Sequence, residues 1–234
     1  MNLLDYQRKK QEFLNSQPVY RRICGGCRQP DFSCYCAILR PFNSGIKFLI
    51  LSHPLEYHKR IATGRMSHLN LRDSCLFEGE DYSRHDELNE VLNDGRYFPV
   101  VLYPGRNSRD LSGMSAEARF DLVPVGRTLA VIVIDGTWAT ARKMMRLSTN
   151  INQLPRICFT PPTPSNFRIR KQPKVECYST IEAIHHTIEL MGPANRDHDI
   201  LLNVFDQMIN RQIELAHSGK PDRRTLKGKA TAVR

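Results

Sequence analysis

Leu129-Ala130-Val131-Ile132-Val133-Ile134-Asp135-Gly136-Thr137-Trp138 is the stretch on which the fold turns. Its first six residues are apolar and mostly β-branched, so a strand built from them has no face suited to water. Such a strand belongs inside a parallel sheet covered by helices on both sides. The apolar run stops at Asp135. Gly136 allows a tight turn, and Thr137 can cap a helix over Thr140 to Leu147. In open parallel α/β sheets, ligands bind beyond the carboxyl ends of the strands, so Asp135 stands where chemistry is expected. A plainer reading also fits, in which Asp135 only satisfies backbone amides at the helix start. Trp138, the chain's one Trp, and Arg142, Lys143 and Arg146 on the next helix favour a site.

Outward from this stretch, apolar runs alternate with amphipathic ones. Ile46 to Leu51, Ser74 to Phe77, Pro99 to Tyr103 and Arg156 to Thr160 read as strands. Tyr57 to Leu69 and Glu87 to Leu92 read as helices. Ile181, Ile184, Ile188 and Met191 share one helical face, as do Leu201, Val204, Phe205, Met208 and Ile209. This alternation predicts an α/β fold, a mostly parallel sheet with flanking helices. The expected organisation is an arm and cysteine module over 1–42, a catalytic domain over 43–216, and a basic tail over 217–234.

The chain of 234 residues is 41% hydrophobic and 25% charged, which excludes a largely disordered protein. Its 34 Lys and Arg against 24 Asp and Glu leave a charge of +10, which favours a polyanionic partner, nucleic acid first. No apolar run reaches the roughly 18 residues of a membrane span, and the N-terminus lacks a secretion signal's apolar core. A cytoplasmic protein without a membrane partner is expected. Nothing in the sequence separates a monomer from a homodimer.

Four of the seven Cys fall in Cys24-Gly25-Gly26-Cys27 and Cys34-Tyr35-Cys36. Two close pairs suit a closed tetrahedral zinc site of structural type; transient disulfides and unligated thiols are the alternatives. Cys75, Cys158 and Cys177 read as plain core residues. The segment from Thr160 to Lys174 is too rich in proline for regular structure. It sets Arg168, Arg170, Lys171 and Lys174 around Phe167, a combination suited to phosphate contacts and base stacking, or to a solvated loop. Ser179-Thr180-Ile181-Glu182 matches a capping box.

Taken together, these blocks resemble the DTW-domain family of tRNA-uridine aminocarboxypropyltransferases. The signature stands as Asp135-Gly136-Thr137-Trp138. The four-Cys cluster, Ser52-His53-Pro54 with Glu56, Ala62-Thr63-Gly64-Arg65, Leu102-Tyr103-Pro104-Gly105, and Arg168 to Pro173 leading to Ser179 to Ala183 match in the same order. The matches run from about residue 21 to 192. Similarity is greatest to the bacterial branch that modifies uridine 47 of the variable loop.

The resemblance implies a SPOUT-like fold with a C-terminal trefoil knot that grips S-adenosylmethionine. It implies transfer of the 3-amino-3-carboxypropyl group to uridine N3, with methylthioadenosine released. Leu102, Tyr103, Pro104 and Gly105, Asp135 to Trp138, and Tyr178, Ser179 and Thr180 would hold the co-substrate. Arg21, Arg22, Arg142, Lys143, Arg168, Arg170 and Lys171 would contact tRNA, with Cys24, Cys27, Cys34 and Cys36 on zinc. His53 and Glu56 are further candidates for the site's lining, a structural role for His53 fitting equally well. Asp135 is the candidate base. An ordinary Asp lies near pKa 3.9 and an acid of tyrosine's strength near 10, a gap of about 8 kcal/mol for full transfer. A base at Asp135 therefore needs a pKa raised by burial, or transfer concerted with attack; an orienting role is the alternative. A SPOUT-type RNA methyltransferase and a non-catalytic zinc-containing RNA-binding protein are the rival functions.

Overall fold

The computed structural model describes residues 5–9, 22–170 and 177–217; Arg21, Lys171, Lys174 and the tail beyond 217 lie outside them. The apolar run forms strand β5 (Thr128–Asp135), inside a sheet with β1 (Lys47–Ser52), β2 (Ser74–Glu78), β3 (Tyr97–Leu102), β4 (Ser108–Asp110) and β6 (Arg156–Cys158). All pairings are parallel, in the order β2-β1-β5-β3-β6-β4. The chain builds β1 and β2, crosses over to lay down β3, and later inserts β5 between β1 and β3. Strand order thus changes direction around β5, the place where such sheets open a crevice.

Alternation along β5 divides its side chains between two cores. Leu129, Val131 and Val133 join Phe48 and Ile50 of β1 on one face. Helices α2 (Thr63–Asn70), α7 (Thr180–Met191) and α8 (Asp199–His217) supply Met66, Ile181, Ile184, Leu201, Val204 and Phe205 to that core. Ile132 joins Leu49 and Leu51 on the other face. There α3 (Asp86–Asn93), α5 (Trp138–Leu147) and α6 (Thr149–Asn152) supply Leu88, Met144, Met145 and Ile151. By the same alternation Asp135 falls on the face of α2 and α7. The period-3.6 stripes expected on α7 and α8 are buried, except that Met191 stays half-exposed.

The helix expected over Tyr57 to Leu69 is instead two helices, α1 (Pro54–Tyr57) and α2, with a break at 58–62. Two carbonyls that a continuous helix would use are taken by tertiary partners. The Arg65 guanidinium donates to the Tyr57 carbonyl at 2.8 Å, and the Gln29 amide donates to that of Arg60. Helix α5 begins two residues earlier than expected, because the Thr137 side chain accepts from the Thr140 backbone N–H. The short β4, α4 (Ala116–Phe120) and α6 carry too few residues for a periodic signal, and the sequence reading missed them.

The cysteine-rich segment packs directly on the sheet domain. Cys27 and Tyr35 are buried in the core shared with α7 and α8, and the Arg211 guanidinium of α8 reaches the Phe32 carbonyl at 3.3 Å. Phe167 is also core: it is 5% exposed and stands edge-on to Phe205 at 5.2 Å. The stacking surface expected of Phe167 is therefore absent, because an aromatic ring near α8 gains more from burial than from water.

Candidate active site

Hydrogen-bond register places Ser52, the last residue of β1, beside Asp135, the last of β5. Ser52 Oγ donates to Asp135 Oδ2 at 2.8 Å, and Thr180 Oγ1, at the start of α7, donates to Oδ1 at 2.6 Å. The Asp135 carbonyl accepts the His53 N–H at 2.9 Å. Gly64 of α2 closes the remaining side, since a Cβ there would lie 2.6 Å from Asp135 Oδ2. Asp135 is 5% exposed, and burial pushes its carboxyl pKa up. The Thr180 and Ser52 hydroxyls oppose that rise, nearby Glu56 adds to it, and the Arg170 charge opposes it.

On the other side of Thr180 a cavity of about 700 Å³ opens at the strand ends. Its floor is Val133 and Ile134 of β5 with Leu102, the last residue of β3, and Tyr103 and Pro104 beyond it. Cys158 at the end of β6 and Phe159, Thr160 and Pro161 beyond it form one wall; Cys177, Tyr178 and Thr180 form another. Gly136 with Trp138, Ala141 and Arg142 of α5, and Ala183 of α7, complete the lining. The Trp138 indole N–H donates to Cys177 Sγ at 3.2 Å, which fixes the ring beside Tyr103, 6.3 Å away. This volume suits a ligand of nucleoside size, the walls are mainly apolar or aromatic, and Arg142 is the one cationic side chain among the lining residues.

Cys24, Cys27, Cys34 and Cys36 bring their sulfurs within 4.8 Å of one another. Cys24 to Cys36 and Cys27 to Cys34 are each 3.6 Å apart. Metal–sulfur bonds of about 2.3 Å in a tetrahedron put sulfurs about 3.8 Å apart. Backbone N–H groups of Cys27 and Gly26 bring the Cys24 thiol down to about 6, while burial pushes Cys36 up to about 12. The four sulfurs therefore fit one tetrahedral ion.

A family model described as the DTW domain matches residues 21–213, most of the chain. The chain belongs to the DTW-domain family. It is 27% identical over 172 residues to the fruit-fly protein named tRNA-uridine aminocarboxypropyltransferase 2, covering 70% of this chain and 64% of that one. The mouse protein of the same name is 27% identical over 206 residues, with 83% of this chain and 64% of the relative covered. An Arabidopsis thaliana protein named tRNA-uridine aminocarboxypropyltransferase A is 23% identical over 232 residues, covering 88% and 87%. The chain thus spans slightly under two thirds of the fruit-fly and mouse relatives. No solved structure matches it significantly.

Within this DTW domain, Leu102, Tyr103, Pro104, Gly136, Trp138, Tyr178 and Thr180 line the cavity together. Gly105, Asp135, Thr137 and Ser179 are not part of its lining. Gly105 lies near Arg156 and Ser108. Thr137 caps α5, and Ser179 forms the expected capping box with Glu182, its N–H donating to Oε2 at 2.8 Å. His53 and Glu56 lie outside the lining too. His53 Nε2 meets Glu80 Oε1 at 2.9 Å, and Lys59 Nζ meets Glu56 Oε1 at 2.6 Å. Cys158 and Cys177, expected as plain core, both line the cavity. Cys158 ends the short β6 and Cys177 precedes α7, so no apolar period marked either as a cavity residue. Ser52 and Gly64, the packing partners of Asp135, were visible only as parts of matching blocks.

Among the residues expected at RNA, Arg22, Arg168 and Arg170 are exposed. Arg168 donates to Asn210 Oδ1 at 2.8 Å, and Lys143 is paired with Glu80. Arg142 serves the cavity. Among the described residues, no helix is long and apolar enough to cross a membrane.

Proposed function

We propose that this DTW domain transfers the 3-amino-3-carboxypropyl group of S-adenosylmethionine to N3 of a tRNA uridine in the cytoplasm, at position 47 of the variable loop. The observation that carries the reading is the aromatic-walled cavity with one guanidinium, separated from a buried carboxyl group by a single hydroxyl. The names of the relatives agree with it. Tyr103, Trp138, Phe159 and Tyr178 suit the adenosine, and Arg142 suits the methionine carboxylate.

S-adenosylmethionine supplies a carbon activated by sulfonium; uridine N3 bonds to that γ-carbon, and the electron pair of the broken C–S bond leaves with methylthioadenosine. The domain must present the γ-carbon and turn the methyl away, which is a matter of orientation by Arg142 and the aromatic walls. Thr180 takes the N3 proton as it passes its own to Asp135 Oδ1. Desolvation makes Asp135 a stronger proton acceptor than an exposed carboxylate, which narrows the gap of about 8 kcal/mol that an ordinary Asp faces. Ser52 keeps the second carboxyl oxygen in place.

Zinc on the four cysteines braces the segment next to Arg22, and the 3.6 Å sulfur contacts support that assignment. Exposed Arg22, Arg168 and Arg170, with Arg21, Lys143 and Lys171, hold tRNA phosphates. A SPOUT-like topology with a trefoil knot belongs to the same proposal, supported by loops after β3, β5 and β6 converging on one cavity. Asp135→Ala tests the chemistry. Transfer to tRNA is lost while S-adenosylmethionine affinity stays within a few-fold of wild type; surviving transfer removes Asp135 from the mechanism.

A further inference from the structure

A second cluster of ligating side chains lies outside the cavity, where α7 meets the start of α8. His185 projects from the middle of α7, His198 immediately precedes α8, and Asp199 opens it. One ligand atom from each lies within 4.8 Å of the others. His185 Nε2 is 3.3 Å from Asp199 Oδ1, and His198 Nε2 is 3.9 Å from the same oxygen. Bonds of about 2.1 Å from a tetrahedral ion to nitrogen and oxygen put two ligands about 3.4 Å apart. The His185 spacing of 3.3 Å matches an edge of such a tetrahedron, and the His198 spacing of 3.9 Å is about 0.5 Å longer.

His198 makes the cluster more than an ion pair. It is 3% exposed, and neither ring nitrogen has a hydrogen-bond partner among the described residues. Buried imidazole nitrogens ordinarily find one. The shared proximity to Asp199 Oδ1 gives Nε2 of both histidines a common point to converge on. The other nitrogen of His185, Nδ1, faces Glu189 Oε2 at 3.8 Å, and a carboxylate behind a ligating histidine is the usual outer support of a metal site. His185 and Asp199 also line a groove of about 370 Å³ with Glu182, His186, Glu189 and Asp206.

We propose that His185, His198 and Asp199 form a metal site that takes a divalent ion of zinc's class, with one coordination position open to this groove. Two histidines and one carboxylate are a borderline donor set, which favours zinc or cobalt over magnesium or calcium. Arg196 is the competitor. Its guanidinium holds Asp199 at 3.0 Å, yet its side chain is 70% exposed and free to turn outward when the carboxylate binds metal. The ion would tie α7, which carries Thr180 at its first turn, to the N-terminus of α8.

The test is a cobalt(II) titration of the metal-stripped full-length chain, read by absorption. Metal on the four cysteines gives thiolate-to-cobalt charge transfer, whereas the proposed site gives ligand-field bands without it. Wild type is expected to show a sulfur-free class of bound cobalt. His198→Ala and Asp199→Asn weaken that class by about 100-fold or more and leave the thiolate band intact. Arg196→Ala tightens it several-fold, an effect that a purely structural cluster would not give. Asp199→Asn keeps the side chain's shape and carries the test if His198→Ala does not fold. A wild-type chain without sulfur-free cobalt, or an Asp199→Asn variant that binds it unchanged, overturns the proposal.

Discussion

At Asp135 a carboxyl group is shut away from water while each of its oxygens accepts one hydroxyl. Burial raises its pKa in the folded chain, so the folded state binds that proton more tightly than the unfolded state does. The group's stabilising contribution is full below the ordinary carboxylate range and is lost as pH rises through the raised value. Asp135→Asn removes the ionisation. In thermal melts its Tm should exceed wild type at about pH 7–8, and the difference should close near pH 4, where an ordinary Asp takes up its proton. A lower Tm at every pH would contradict this account of the buried charge. In the proposed reaction Asp135 must be ionised, so single-turnover transfer should rise with pH through the same raised pKa and be absent in Asp135→Asn. Gly64 is the complementary position: Gly64→Ala puts a methyl 2.6 Å from Oδ2 and 3.1 Å from Ile50. Overpacking of this kind costs about 1–3 kcal/mol. Denaturant melts should show that loss, together with a fall in transfer larger than the fall in S-adenosylmethionine affinity.

At the scale of elements, α7 joins cap, site and core in one helix. Ser179 closes its N-terminus, Thr180 faces both Asp135 and the cavity, and Ile181, Ile184 and Ile188 enter the core. Thr180→Val keeps the shape but removes the hydroxyl, so kcat for transfer should fall while the Kd for S-adenosylmethionine changes little. Equal loss in both would make Thr180 a binding group only. The stripe of α7 and its cap were legible in the sequence because they repeat a local pattern. The break between α1 and α2 was not, because Arg65 and the sequence-distant Gln29 divert carbonyls by side-chain contacts that no periodic pattern encodes. Arg142 shows the same limit: periodicity gave its helix, but the cavity opposite it is built by residues after β3 and β6.

At the scale of the whole molecule, the apolar run at β5 foretold a parallel sheet, and Asp135 marked where its crevice lies. Strand order was not legible, since runs such as Ile46 to Leu51 carry no signal for the neighbour they choose. The lining after β6 was hidden too, because the strand expected over Arg156 to Thr160 stops at Cys158 and the wall beyond it is irregular chain. The cysteine segment adds Cys27 and Tyr35 to the main core, so removing the metal proposed there should destabilise the sheet domain rather than a separate unit. Chelation should lower the Tm of the whole chain in a single transition, by about 2–4 °C for each kcal/mol lost; an unchanged Tm would leave the four sulfurs without a structural ion. With a net charge of +10, tRNA affinity should fall linearly on a log–log plot as salt rises, and a flat response would remove the phosphate contacts assigned to the arginines.

The central claim is a transfer of carbon from sulfur to a uridine nitrogen at this cavity. Incubation of unmodified tRNA with the purified chain and S-adenosylmethionine, followed by nucleoside mass analysis, tests it most directly. The account predicts a uridine heavier by one aminocarboxypropyl group, with an equal amount of methylthioadenosine. A uridine heavier by a methyl group, with S-adenosylhomocysteine released, or tRNA bound and returned unmodified, would contradict it.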